Sequence, residues 1–264
     1  MDGFLLNERV ESCIIWKFNH IRQPRLPYGE PELKGRNRVN STADTLDRID
    51  ERIAERSLLL HPFYQAWTRG VLPIPALRDY ARQYYHHVAA FPAYLSALHS
   101  HTEDQQVRRQ ILANLIDEEA GNPNHPELWL SFAEATGLSR DEASNTQLWP
   151  ETENLVRTFR RICRDGSVAE GLAALYAYES QIPSVAESKI KGLQSFYGIN
   201  TPRSLEYFRV HIEADREHSR VERELLALVL DEGNLQMVTE AVDDSLNSLW
   251  GLLSAVCMRH SLDC

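Results

Sequence analysis

The feature that most constrains the fold is an apolar periodicity of three to four residues, which recurs along most of the chain after residue 40. In one segment it joins Leu77, Tyr80, Tyr84, Val88 and Phe91. Such spacing places side chains on one face of an α-helix, whereas a half-buried strand would alternate every second residue. No segment of the sequence alternates convincingly in that way. The pattern therefore predicts an all-α fold, a compact bundle of about eight helices joined by short links.

Two parts of the chain differ in composition. Prolines and glycines between residues 24 and 35 interrupt every periodic pattern. We therefore predict an irregular N-terminal arm over residues 1–40 and a single helical domain over residues 41–264. The clearest helices of this domain are predicted at about 105–119, 202–231 and 236–258.

Charge and composition narrow the class of function. The chain has 38 acidic and 28 basic residues and a net charge of −10, which on average repels a nucleic-acid backbone or an anionic membrane. No apolar run approaches the roughly 20 residues of a membrane-spanning helix, and residues 1–10 lack the pattern of a secretion signal. We expect a cytoplasmic protein that binds neither nucleic acid nor membrane. The four cysteines lack C-x2-C spacing, which argues against a zinc ribbon.

Ionisable side chains occupy positions in the apolar stripes where core residues belong. The stripe of the helix over about 105–119 continues to Glu118, and the stripe of the helix that follows Ser167 continues to Glu179. Burying a carboxylate is costly unless a cation compensates its charge. These two positions therefore indicate either an ion pair or a metal site.

A third helix carries the strongest signal. His211, Asp215 and His218 take three consecutive inward positions in the pattern H-x3-D-x2-H. With the two glutamates above and His125, they provide three carboxylates and three imidazoles. Such mixed shells suit two iron or manganese ions and leave coordination sites for O2 or water, whereas structural zinc prefers four closed ligands, usually with thiolates.

The residue patterns alone leave alternatives open. A lone inward glutamate commonly pairs with an arginine, and His125 could cap a helix. The nearest competing ligands are Glu119, Glu213 and Glu222. A serine hydrolase or a phosphate-binding loop is disfavoured, because the chain has neither a G-x-S-x-G turn nor a glycine-rich phosphate loop.

Four motifs carry a resemblance to a known family: HPFY (61–64), E-x6-H (118–125), YES-x2-P (178–183) and H-x3-D-x2-H (211–218). Over about residues 45–230 the chain resembles the haem-oxygenase-like di-metal oxidases of the TenA/PqqC-like superfamily. Within them it is most similar to the self-sacrificing para-aminobenzoate synthases, typified by a chlamydial protein associating with death domains.

The resemblance implies a haem-oxygenase-like bundle of about seven core helices, usually dimeric, with a di-iron or iron/manganese centre. It assigns the metal ligands to Glu118, His125, Glu179, His211, Asp215 and His218. It also implies that the reduced metals activate O2 and that one of the protein's own tyrosines is cleaved to para-aminobenzoate, for folate biosynthesis. The tyrosines that match the family are Tyr64, Tyr80, Tyr178 and Tyr207. We expect Tyr64 to be the consumed residue, with Tyr80 as the second choice.

The resemblance also assigns the amino nitrogen of the product to Lys189. On a continuous helix, a residue ten positions after Glu179 would lie beside the site, although Pro183 leaves the angle open. In an apolar pocket or near metal cations the pKa of the amine would fall, as a nitrogen donor requires. An ordinary exposed lysine is equally compatible with the sequence.

Three other functions compete with this prediction. The first is an oxidase of the same fold that acts on an external small molecule, as a pyrroloquinoline-quinone-synthase-like protein would. The second is a thiaminase-like enzyme, for which Cys163 would have to be the nucleophile. The third is a helical interaction module that holds only a structural metal. Besides O2, the predicted partners are an electron donor and a second copy of the chain.

Overall fold

The computed structural model describes residues 35–262, with the side chains of residues 42–262. No strand occurs within this range, and none of its helices is long and apolar enough to cross a membrane. A 3-10 turn at Leu58–Leu60 separates the first two helices. The helices are α1 (Gly35–Glu55), α2 (Pro62–Thr68), α3 (Ile74–His101), α4 (Gln105–Glu119), α5 (His125–Ala135), α6 (Arg140–Ser144), α7 (Pro150–Asp165), α8 (Val168–Glu179), α9 (Ile182–Phe196), α10 (Pro202–Val229) and α11 (Leu235–Arg259).

Local sequence signals explain where these helices begin. In six of them a proline lies in the first two positions, where it needs no hydrogen bond to the preceding turn. Ser139 and Ser167 form capping boxes with the glutamates three residues later, at the starts of α6 and α8. Pro92 does not end a helix, because α3 continues through it.

The packing confirms the predicted all-α bundle with about seven core helices. Helix α10 packs against α5, α8 and α9, and α3 packs against α4, α5 and α7. Helix α11 covers α7 and α8. The long helix α10 therefore runs through the interior, and its inward face meets residues from several other helices.

Two details differ from the sequence-based expectation. Helix α1 begins at Gly35, inside the segment predicted as an irregular arm; residues 1–34 lie outside the described residues, so the division at residue 40 stays a prediction. The helix that ends at Glu179 does not continue to Lys189, because Ser180 and Gln181 form a turn before α9 begins. The assumption that one continuous helix carries both Glu179 and Lys189 was therefore wrong. The surroundings of Lys189 depend instead on how α9 packs.

Candidate metal centre and its aromatic surroundings

A first group of candidate ligands joins three helices. Glu118 lies in the last turn of α4, His125 is the first residue of α5, and His211 lies on α10. The Nδ1 atom of His125 is 2.9 Å from Oε2 of Glu118, and Nε2 of His211 is 3.7 Å from Oε1 of the same carboxylate. One ligand atom from each residue lies within 4.8 Å of the others, and all three residues are buried.

A second group lies further along α10. Asp215 and His218 come from this helix, and Glu179 is the last residue of α8. The Nδ1 atom of His218 is 3.3 Å from Oε1 of Glu179 and 3.6 Å from Oδ1 of Asp215. These three residues are also buried and meet the same 4.8 Å spacing. The H-x3-D-x2-H motif is thus divided, because its first histidine belongs to the other group.

A small cavity connects the two groups. Its volume is about 10 Å³, which is close to the space that one water-sized molecule occupies. Carboxylates of both groups line it, and the aromatic rings of Tyr178 and Tyr207 form part of its wall. A diatomic molecule in this cavity would therefore face both candidate sites and two tyrosines.

Neighbouring groups fix the orientation of the candidate ligands. The ring of His211 donates from Nδ1 to the Tyr207 carbonyl at 2.6 Å, which leaves Nε2 for the first group. His218 donates from Nε2 to the Asp117 carboxylate at 3.0 Å, which leaves Nδ1 for the second group. The Asn114 amide donates to both oxygens of Glu179, at 3.1 and 3.2 Å. Such outer hydrogen bonds are typical of metal-binding histidines and carboxylates.

The protonation of these groups reflects burial and mutual attraction. Burial alone would raise the pKa of Glu118, but hydrogen bonds from His125 and His211 outweigh it and lower that pKa well below its usual value. Burial raises the pKa of Asp215 to about 6, against the opposing effects of His211 and His218. For His218, burial favours the neutral ring, yet hydrogen bonds with surrounding carboxylates raise its pKa overall.

The donor atoms fit a pair of divalent ions. Both carboxylate oxygens of Asp215 and the Nδ1 atom of His218 are buried without a hydrogen-bonding partner. Buried polar atoms in native proteins nearly always have a partner, so such a cluster is typical of residues that bind a cation. Mixed oxygen and imidazole donors are the ligand types that iron and manganese accept.

Lys189 lies in a chamber of aromatic rings beside this centre. It is only 3% exposed, and its Nζ atom lies 5.2–5.6 Å from the centroids of five rings, those of Tyr64, Tyr80, Tyr84, Trp129 and Phe208. Burial lowers the pKa of its amine to about 7. The buried, aromatic surroundings agree with the reactive alternative for Lys189 and not with the exposed one.

The tyrosines singled out in the sequence surround the lysine and the metal groups. Tyr64 and Tyr80 share a hydrogen bond of 3.1 Å between their hydroxyls. Tyr84 donates to the Tyr178 hydroxyl at 2.9 Å, and its ring centroid lies 5.1 Å from that of Tyr80. Tyr84 thereby connects the tyrosine at the small cavity with the tyrosines around Lys189.

A glycine on α9 allows Trp67 to pack closely against this helix beside Lys189. A Cβ atom at Gly192 would lie 2.5 Å from the indole of Trp67, which packs on this helix and donates to the Lys189 carbonyl at 3.3 Å.

Gly192→Ala is expected to lower the free energy of unfolding by about 1–3 kcal/mol, because the indole must move. Urea denaturation followed by tryptophan fluorescence measures this. Gly251→Ala is the control, since a Cβ atom there meets nothing within 4 Å, and an equal loss in both variants would contradict the packing argument.

Sequence reasoning missed four residues, and the structure argues against one of the alternatives that it left open. Asn114, Asp117 and Tyr84 hold candidate site residues, and Glu222 is buried beside the second group, whereas the sequence interpretation had set Glu222 aside. The sequence signal for Asn114 and Glu222 was their position on the same apolar stripes as the candidate ligands.

Cys163 is a buried free thiol, and burial raises its pKa to about 12, which does not suit a thiaminase-like nucleophile.

Comparison with known proteins identifies the class. Residues 78–250 match the family model described as iron-containing redox enzyme. The chain belongs to this family of haem-oxygenase-like redox enzymes. Among its similar relatives is a protein of Chlamydia pneumoniae named 4-aminobenzoate synthase, 44% identical over 80% of this chain and 93% of the relative. A protein of Nitrosomonas europaea with the same name is 46% identical over 79% and 89%.

Solved structures share the fold at lower identity. A CADD-like protein from Nostoc punctiforme superposes with a TM-score of 0.70 at 15% identity, over 85% of this chain and 100% of that one. A TenA homologue from Pseudomonas syringae gives a TM-score of 0.70 at 17% identity, over 83% and 93%. At these identities the likeness confirms the haem-oxygenase-like fold alone.

Proposed function

We propose that this chain is an O2-dependent di-metal oxidase that makes 4-aminobenzoate for folate biosynthesis from one of its own tyrosines, with Lys189 as amino donor. The observation that carries the proposal is a buried amine 5.6 Å from the Tyr64 ring and 5.2 Å from the Tyr80 ring. Relatives of 41–46% identity are named 4-aminobenzoate synthase, which supports the product.

A tyrosine side chain already has the substitution pattern of the product, a carbon substituent para to a heteroatom. Its conversion requires that the Cα–Cβ bond break, so that Cβ becomes a carboxylate and Cα keeps a hydrogen as in glycine. Nitrogen must also replace the phenolic oxygen, which leaves as water, while the Cε–Nζ bond of Lys189 breaks and Cε is oxidised to an aldehyde. The carbon is oxidised, with O2 as the oxidant. The nitrogen comes from a primary amine, and the nearby Lys189 supplies one without any outside aromatic substrate.

The metal ions would be held by the two buried groups. One ion would bind Glu118, His125 and His211, and the second would bind Glu179, Asp215 and His218. Two irons, or iron with manganese, would supply O2 activation and one-electron oxidation in such a site. The hydrogen bonds from His211 and His218 to their outer partners hold each ring in the tautomer that leaves a nitrogen free.

The chamber prepares Lys189 for its role. An amine attacks or donates nitrogen only when neutral, and a pKa of about 7 leaves much of it neutral at physiological pH. Aromatic faces around Nζ still accommodate the protonated form through cation–π attraction. The rings also exclude water, which would otherwise raise the pKa towards 10.5.

Tyr64 is the better candidate for the consumed residue. It lies on the short helix α2, whereas Tyr80 lies within the 28-residue helix α3, which packs against several core helices. Loss of the Tyr64 side chain therefore disturbs less of the core. Tyr178 and Tyr207, at the small cavity, are suited to transfer electrons and protons between the metals and the chamber, and Tyr84 extends that path.

The electrons for O2 activation are proposed to come from a separate donor. That the protein is a homodimer stays a prediction from the resemblance, and that it is cytoplasmic stays a prediction from the sequence.

A single-turnover experiment tests the function. The metal-free protein is loaded anaerobically with Fe(II), alone or with Mn(II), and exposed to O2 with a reductant. We expect at most about one 4-aminobenzoate per chain, with mass changes confined to one tyrosine and Lys189 by peptide mass spectrometry. Tyr64→Phe should abolish the product and Tyr94→Phe, which removes a buried hydroxyl without a partner, should not. Many turnovers of an added small molecule on an intact chain would instead indicate an oxidase of the external-substrate type.

A further inference from the structure

A pocket beside the second candidate metal group leads from solvent to buried ligand atoms. Its volume is about 270 Å³, and it lies between α4, α8 and α10. Asp117 and Glu217 line it with side chains that are 59% and 62% exposed. His218 and Glu222, which are 9% and 5% exposed, line its inner part. The remaining lining is largely apolar apart from Gln110 and Asn114, so carboxylates form most of the polar path through it; the Glu217 carboxylate accepts from Arg220 at 2.6 and 2.9 Å.

This pocket reaches the second candidate metal group and not the first. Its lining includes His218 of the second group but none of Glu118, His125 and His211 of the first. The small cavity between the groups is lined by different residues, Glu179 and Asp215 among them. A cation that entered through the pocket would therefore reach the second group first.

Glu222 is a buried carboxylate without a role in the proposed reaction. It lies one helical turn after His218 on α10, on the same face as His211 and Asp215. Both of its oxygens are buried without a hydrogen-bonding partner. When protonated, its carboxyl group is close enough to Glu179 to donate a hydrogen bond; when ionised, it is repelled by Glu179 and Asp215 and attracted by His218. Burial of such a group is costly unless a cation binds there.

We propose that Glu222 is an additional metal-binding residue at the inner end of an access route for divalent cations. A cation would pass from the exposed Asp117 and Glu217 to Glu222, and from there to the second group. Oxygen donors suit the divalent metals proposed above, since Mn²⁺ and Fe²⁺ both accept carboxylates. The inference rests on the proposed di-metal function and adds the route by which one ion arrives.

Mn²⁺ uptake by the metal-free protein tests this route without any catalytic readout. Free Mn²⁺ is followed by electron paramagnetic resonance, at equilibrium and after rapid mixing. For the wild type we expect about two ions per chain. Glu222→Gln, which keeps the size of the side chain, should leave one ion bound normally and weaken or slow the other by about tenfold or more.

Two further variants complete the test. Glu217→Gln alters only an exposed side chain at the mouth, so it should slow uptake without changing the number of ions. Glu213→Gln is the matched control, because this exposed residue lies on the same helix outside the pocket and pairs with Arg216, and both rate and affinity should stay unchanged.

The outcomes separate the two ideas. If the wild type binds two ions and Glu222→Gln binds both at the wild-type rate and affinity, the access route is wrong and the di-metal function stands. If the wild type binds no Mn²⁺ and no Fe²⁺, both the route and the proposed function fail.

Discussion

Lys189→Met is expected to abolish 4-aminobenzoate formation while making the protein more stable at neutral pH. The product loses its nitrogen donor, and the fold loses a buried amine that burial disfavours in its charged form. Each tenfold change in proton affinity corresponds to about 1.4 kcal/mol, so we expect a gain of roughly 2–4 kcal/mol, after allowing for lost cation–π attraction. Mass spectrometry of the product and urea denaturation measure the two effects.

The stability gain of Lys189→Met should depend on pH. The lysine keeps its proton to about pH 10.5 when unfolded and to about 7 when folded. Between these values the unfolded state binds more protons, so the stability of the wild type rises with pH. The difference between variant and wild type is therefore largest below about pH 7 and shrinks towards pH 10.5. Because only the neutral amine donates its nitrogen, the initial rate of product formation in the wild type should rise through about pH 7 and level off above it.

Lys191 provides the control for this prediction, because it lies two residues further on α9 and is exposed. Lys191→Met should change neither the product yield nor the pH dependence of stability. Product formation by Lys189→Met at the wild-type level would show that the amine is not the nitrogen source.

Glu118→Ala is expected to reduce the metal content from about two ions per chain to about one and to lower product formation at least about a hundredfold. The carboxylate interacts with both imidazoles of the first group, so its loss leaves two histidines that cannot hold an ion tightly. Elemental analysis of the protein after gel filtration measures the metal content, and a single-turnover assay measures the product.

The neighbouring residue makes a sharp control. Glu119 follows Glu118 on α4, but its side chain is exposed. Glu119→Ala should keep both ions and the full product yield. An equal loss in both variants would mean that the effect comes from the net charge or the fold of α4 and not from a specific ligand.

The burial of the candidate ligands on α10 could be predicted because each helix offers only one face to the core. His211, Asp215 and His218 follow the apolar stripe of α10, so burial places all three in the interior without any knowledge of the neighbours. Their division between two groups could not be predicted from the spacing. It depends on the positions of Glu118 and Glu179, which come from other helices.

Residues that hydrogen-bond to the candidate ligands could not be predicted from the apolar periodicity. Asp117 is largely exposed and only the packing of α4 on α10 brings it to His218. The surroundings of Lys189 arise from a break between α8 and α9 and from the close approach of Trp67 at Gly192. Periodicity reports which face is buried, whereas these contacts depend on tertiary geometry.

Isotope labelling of the protein tests the central claim most directly. The chain is produced with ring-¹³C tyrosine and side-chain ¹⁵N lysine, purified, loaded with unlabelled metals and exposed to O2 and an unlabelled reductant. We predict that the released 4-aminobenzoate carries both labels, since its ring comes from a tyrosine and its nitrogen from Lys189. Product without the ring label, made from an added unlabelled compound, would contradict the account.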